Sequence, residues 1–168
     1  MTTLKQIKTV AKSLNSSDNS VSSESERKVI DELKKLGFYF IGSGISRDVY
    51  GNGKYVVKIE SSGCDGQNKK EVENYFSLSK EEKNLFPEII DYDKSEGVIW
   101  IIAEEVIVNH TDKDSDSDWN KIESEIEATL KKLGLYVPDI HCNNIGLSKS
   151  DGRPVVVDFG IGNIIKEK

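Results

Sequence analysis

Residues 38–59 restrict the fold more than any other part of the chain. Their side chains alternate with the two-residue period of β-structure in Phe38-Tyr39-Phe40-Ile41, Asp48-Val49-Tyr50 and Tyr55-Val56-Val57-Lys58-Ile59. Gly51-Asn52-Gly53 between the last two is a hairpin signal, because Gly and Asn tolerate positive φ. Three antiparallel strands in sequence are therefore expected. Residues 69–77 read as a helix with Val72, Tyr75 and Phe76 facing inward, and two more strands, 88–92 and 98–103, flank the turn 94–97. The expected layout is β-β-β-α-β-β, an α+β arrangement.

In front of it, Leu4, Ile7, Val10, Ala11 and Leu14 recur at helical spacing among Lys5, Lys8 and Lys12, predicting an amphipathic helix of about three turns over 1–14. This stretch has neither the continuous apolar core nor the cleavage site of a signal peptide. Residues 15–25 form a Ser/Asn/Asp-rich linker expected to be mobile, and a second helix is predicted over 25–36, with Ser23 or Ser25 as its cap. Residues 109–118 are an acidic loop whose aspartates lack the glycine and distal glutamate of an EF-hand, so a solvated connector is expected. A further helix over 119–133 carries Ile122, Ile126, Leu130 and Leu133 on one face, with Gly134 ending it. Part of its cover is expected from residues 1–36, with a second copy of the chain or a partner as the alternatives.

The 168 residues suffice for one ordinary domain. A net charge of -6 argues against a nucleic-acid binder that works by neutralising phosphates, although it leaves room for a nucleotide accompanied by its own metal ion. Cys64 and Cys142 have no metal-ligand spacing, and they read as free thiols of a cytoplasmic protein. No membrane contact is expected.

The residues that carry chemistry come in a fixed order. Ile41-Gly42-Ser43-Gly44-Ile45-Ser46-Arg47-Asp48-Val49 places glycines in the first hairpin, where main-chain N–H groups can approach a phosphate; a plain hairpin turn is the competing reading. Lys58 sits inside an apolar strand, where a lysine is costly to bury without an anionic partner; an edge-strand lysine in solvent is the alternative. Glu71 begins the inward face of the 69–77 helix, and Glu73 competes with it but points about 200° away. Asp139 and Asn144 stand five apart, and Asp158-Phe159-Gly160 follows after a hairpin from 145–147 to 155–157. Two acidic groups and amides on loops beside a short apolar strand suit chemistry on a metal-bound phosphate.

Taken together, these motifs resemble those of the protein-kinase-like superfamily over residues 38–162. The resemblance implies a five-stranded antiparallel small lobe with one helix over 37–106. It implies a strongly reduced helical lower lobe carrying the catalytic hairpin over 107–168, and residues 1–36 add the N-terminal helices and linker. It implies ATP and Mg2+ as cofactors, with Gly42, Gly44 and Val49 around the nucleotide and the main chain of Glu104, Glu105 and Val106 against its adenine after a gatekeeper Ala103. Lys58 would hold the α- and β-phosphates and pair with Glu71, Asp139 would act as base, and Asn144 with Asp158 would bind magnesium.

The chain departs from the family pattern in three places. Arg47 stands where a third glycine is usual, and either a restricted loop or a reach to a phosphate or a carboxylate is expected from it. Val137-Pro138 replaces His-Arg, and His141 is the residue of aminoglycoside- and choline-kinase-like relatives. Only residues 161–168 follow Asp158-Phe159-Gly160, so a protein kinase's activation segment and large helical lobe are expected to be absent; this compactness suits a phage-type member. Two functions follow as expectations. One is a phosphotransferase acting on a hydroxyl acceptor, with protein Ser/Thr among the candidates. The other is a catalytically silent kinase-like module that binds nucleotide or a protein partner.

Overall fold

The computed structural model describes residues 2–14, 23–44, 46–61, 66–108 and 117–166. Residues 15–22 of the linker expected over 15–25, Ile45, Cys64 and residues 109–116 of the acidic loop lie outside the described residues, and the second helix begins at Ser23, inside the span expected for the linker. In chain order the elements are α1 (Leu4–Ala11), α2 (Ser23–Lys35), β1 (Tyr39–Ser43), β2 (Arg47–Gly51), β3 (Tyr55–Glu60), α3 (Gln67–Ser77), β4 (Ile89–Tyr92) and β5 (Trp100–Glu104). They continue with β6 (Val106–Val108), α4 (Ser117–Lys132), β7 (Leu135–Tyr136), β8 (Ile145–Ser148), β9 (Pro154–Val156) and β10 (Ile165–Lys166). By contacts the chain divides into two compact units, Met1–Lys69 with Ile89–Glu105, and Lys70–Glu88 with Val106–Lys168.

The first unit holds a five-stranded antiparallel sheet in the order β1-β2-β3-β5-β4. Its central hairpin closes as the sequence predicts. Gly53 takes φ +88, and the Asn52 carboxamide oxygen accepts from the Lys54 and Tyr55 N–H groups at 3.1 and 2.9 Å. The two-residue period gives the sheet two unlike faces. Tyr50, Val57, Ile59, Trp100 and Ile102 join one core with Ile7, Ala11, Leu14, Val29 and Leu33 of the N-terminal helices. Each such side chain contributes roughly 1.5–3 kcal/mol when fully buried.

Helices α1 and α2 therefore cover this face of the sheet. Helix α1 is shorter than the three turns expected. Thr3 caps it through the Gln6 N–H while the Gln6 side chain returns to the Thr3 N–H, and this box sets the first helical residue at Leu4. An ion pair of 3.0 Å between Lys8 and Asp91 fastens α1 to β4.

In the second unit α4 packs along β7 and β9 and buries Ile126 and Leu130. The expected β8–β9 hairpin is present, and β6 extends it to a three-stranded antiparallel sheet in the order β6-β8-β9. Strands β7 and β10 form a separate antiparallel pair. Neither β6 nor the β7–β10 pair is legible beforehand, because two or three residues are too few to show a period.

Helix α3 corrects one expectation. Val72 and Tyr75 are buried as predicted, whereas Phe76 is 51% exposed and meets Tyr75 edge to face. The buried face carries Asn68, Glu71 and Asn74 at three-residue intervals, together with Tyr75 and Leu78.

Candidate functional site

The residues singled out in sequence fall into two sets. Gly42, Gly44, Val49, Lys58 and Glu104 belong to the first unit, and Glu71, Val106, Asp139, Asn144 and Asp158 to the second.

In the first unit Lys58 lies on the central strand β3, paired across the sheet with Val49 on one side and Ile101 on the other. It is only 7% exposed, so the reading of a solvated edge-strand lysine does not hold. Val56 and Ala103 continue the same row on the face opposite the N-terminal helices. A cation thus sits in a mostly apolar strip, on the face that α1 and α2 do not cover.

The glycines of this unit divide by their surroundings. A Cβ on Gly51 would overlap the Glu105 carboxylate and Ile41 Cδ1, so a side chain there would displace both. A Cβ on Gly42 would meet nothing within 4 Å and one on Gly44 only the Arg47 carbonyl at 3.8 Å, and neither glycine has positive φ. The fold gives no reason for glycine at 42 and 44, and both leave open space above the main chain.

Arg47, Glu60 and Asn68 form a buried polar network. The Glu60 carboxylate accepts from the Gly66, Gln67 and Asn68 N–H groups at 2.7, 2.9 and 2.9 Å and so caps the start of α3. Arg47, opposite Glu60 in the β2–β3 ladder, donates to Asn68 Oδ1 at 3.1 Å. Asn68 passes the connection to β5 by donating to the Ile99 carbonyl at 2.9 Å. Arg47 accordingly turns into the unit interior as part of the fold. Glu105 does the same, accepting from Tyr39 Oη and the Gly53 N–H at 3.2 and 2.6 Å while its own N–H donates to the Lys54 carbonyl at 3.0 Å.

The second unit assembles Asp139, Asn144 and Asp158 around one end of the β8–β9 hairpin. Asp139 has φ +61, a left-handed conformation that few non-glycine residues adopt. Its loop is held by Asn144, whose Nδ2 donates to the Asp139 carbonyl at 3.0 Å and approaches its Oδ2 at 3.2 Å. These acceptors fix the Nδ2 end of the amide, and its oxygen is of the acceptor type that suits a hard cation. The Asn144 carbonyl accepts from the Val157 N–H at 2.9 Å, and Ile145 pairs with Val156. This ladder brings Asp158 to the neighbouring strand end.

An amide oxygen and a carboxylate match the magnesium habit of taking few protein ligands and completing its shell with water and phosphate oxygens. Among the described residues no three His, Cys, Asp or Glu side chains form a cluster that could hold a metal ion. His141 caps the Cys142–Asn144 turn, its Nδ1 accepting from the Asn143 N–H at 3.3 Å, and its Nε2 stands 3.0 Å from Asn144 Nδ2 and 3.8 Å from Asp139 Oδ2.

Glu71 is 1% exposed, whereas Glu73 is at the surface paired with Lys70, which settles which of the two carboxylates faces inward. Sequence reasoning missed Asn68 and Asn74. The signal that would have found them is their spacing of three on either side of Glu71.

No family model and no characterised protein sequence matches this chain. Among solved structures it is similar to the bifunctional kinase-methyltransferase WbdD, at 17% identity and a TM-score of 0.52, over 73% of this chain and 31% of that one. At this identity the likeness is one of fold. The chain is a mixed α+β protein that has, among the described residues, a five-stranded antiparallel sheet and four α-helices, and it is similar in fold to part of a kinase-bearing protein about three times the matched length. No helix among the described residues is long and apolar enough to cross a membrane.

Proposed function

We propose that the chain is a phosphotransferase that moves the γ-phosphoryl group of ATP to a hydroxyl acceptor, with a protein Ser or Thr as the first acceptor to try. The observation that carries this reading is the Asp139–Asn144–Asp158 arrangement, in which one amide holds the loop of a carboxylate and the same hairpin delivers a second one. The fold likeness to a kinase-bearing protein supports it.

In this reading Asn144 Oδ1 and Asp158 would hold Mg2+, which would supply positive charge against that developing on the phosphate oxygens. Asp139, projected by its left-handed backbone, accepts the proton of the acceptor hydroxyl as the oxygen bonds to phosphorus and the bond to the ADP oxygen breaks. Lys58 supplies positive charge for the α- and β-phosphates, and burial in an apolar strip strengthens its attraction to them. Glu71 completes the set from α3. Gly42 and Gly44 give main-chain N–H groups access to phosphate, Val49 lines the base, and the main chain of Glu104 and Val106 meets the adenine edge.

Incubation with labelled ATP and magnesium, with and without added protein acceptors, tests this. Label transfer that disappears in Asp139→Ala and Asp158→Asn is the expected result. Absence of transfer from a folded wild type that still binds ATP would favour the silent kinase-like module, whose partner binding survives Asp158→Asn.

A further inference from the structure

Helix α3 and the segment that follows Asp158 meet at one buried side chain, Asn74. It is 5% exposed, and it uses its whole amide. Nδ2 donates to the Phe159 and Gly162 carbonyls, both at 2.7 Å, and Oδ1 accepts from the Ile164 N–H at 3.2 Å. Three main-chain groups from six consecutive residues are thus tied to one side chain of α3.

Other contacts hold the same segment. Lys70 donates to Asn163 Oδ1 at 2.9 Å, one turn before Asn74. The Phe159 ring stacks edge to face on Phe86 with centroids 4.7 Å apart. Gly162 lies against Pro138, so closely that a Cβ there would stand 2.9 Å from Pro138 Cγ. Pro138 directly precedes Asp139, and Glu71 lies one helical turn before Asn74. The segment therefore touches both the Asp139 loop and the helix that carries Glu71, and α3 from Lys70 onward belongs to the same compact unit as Asp139, Asn144 and Asp158.

We propose that Asn74 is a positioning residue for Asp158: it fixes the main chain on the C-terminal side of that carboxylate and ties it to the helix bearing Glu71 before any ligand arrives. The proposal rests on the phosphotransferase reading, with Asp158 as a magnesium ligand. A ligand held in place beforehand does not have to be ordered on binding, and groups that orient metal ligands typically contribute about 10–100-fold to metal affinity.

The test compares wild type with Asn74→Asp, which keeps the size and loses both donors, and Asn74→Gln, which keeps the chemistry and displaces it by one methylene. Lys70→Ala, which removes the exposed contacts to Asn163 and Glu73 and leaves the Asn74 bonds in place, is the control. Two quantities are measured: amide hydrogen exchange of 159–164 without nucleotide, and the magnesium concentration that half-saturates binding of a fluorescent ATP analogue. Both Asn74 variants are expected to exchange faster in 159–164 but not in β8 and β9, and to need about 10–100-fold more magnesium. Lys70→Ala should behave as wild type.

Unchanged exchange in that segment, or half-saturation within about twofold of wild type in a folded variant, overturns the proposal. Where Asn74→Asp does not fold, Asn74→Gln carries the comparison. If the wild type binds no nucleotide at any magnesium level, the phosphotransferase reading falls, and the exchange measurement alone decides whether Asn74 positions the segment.

Discussion

Asn144 donates its side-chain amide to the main-chain carbonyl of Asp139 at 3.0 Å, and so holds a carboxylate whose φ is +61. A left-handed conformation costs a non-glycine residue roughly 1–2 kcal/mol, and only glycine escapes that cost. Asp139→Gly is therefore expected to be more stable than Asp139→Ala by about 1 kcal/mol, with both devoid of phosphoryl transfer. Urea unfolding of the two variants checks this, and equal midpoints would show that the loop relaxes without strain.

The glycines at 42, 44 and 51 should separate folding from binding. Gly51→Ala forces a methyl group into the Glu105 carboxylate and Ile41, and overpacking of this kind costs about 1–3 kcal/mol. Gly42→Ala and Gly44→Ala should melt within about 2 °C of wild type, since ordinary surface changes stay near ±0.5 kcal/mol. Their nucleotide affinity should fall. Thermal melts paired with ATP-analogue titrations distinguish the two classes, and a large loss of stability at Gly42 would assign that glycine to the fold.

Glu60 holds the N-terminus of α3 through three N–H groups and stands opposite the buried Arg47. Glu60→Ala leaves these groups without their acceptor and is expected to destabilise by about 3–5 kcal/mol, as when one member of a buried charged network is removed. Glu60→Gln keeps one oxygen and should lose about half as much. Chemical denaturation measures both.

The Lys8–Asp91 pair predicts an acid-side dependence. Burial pushes the Asp91 carboxyl up, but hydrogen bonds from Lys8 and the Tyr92 N–H and the charges of Lys8 and Lys94 outweigh it, so the group titrates below its ordinary value. A depressed carboxylate pKa contributes stability that is present above the unfolded value, near about 4, and is lost as pH falls through the lower folded value. Lys8→Met should be less stable than wild type at pH 7, and the difference should shrink below about pH 4. A constant difference from pH 3 to pH 7 would assign the effect of Lys8 to packing alone.

The five strands of the sheet, the Gly51-Asn52-Gly53 turn, the β8–β9 hairpin and the order of Lys58, Glu71, Asp139, Asn144 and Asp158 were all legible in the sequence. Alternation, turn residues and motif spacing are local properties that a chain displays before it folds. What only the tertiary structure decided is where polar groups are buried and what covers each apolar face. Phe76 faces solvent and Asn74 the interior because two carbonyls and an N–H, 85 to 90 residues away, need the Asn74 amide. Helices α1 and α2 close the sheet because Val57, Ile59, Trp100 and Ile102 all emerge on one face of it. Hydrophobic periodicity registers apolar burial along one element, whereas the burial of Asn68, Asn74 and Arg47 depends on partners that only the folded chain brings within hydrogen-bonding distance.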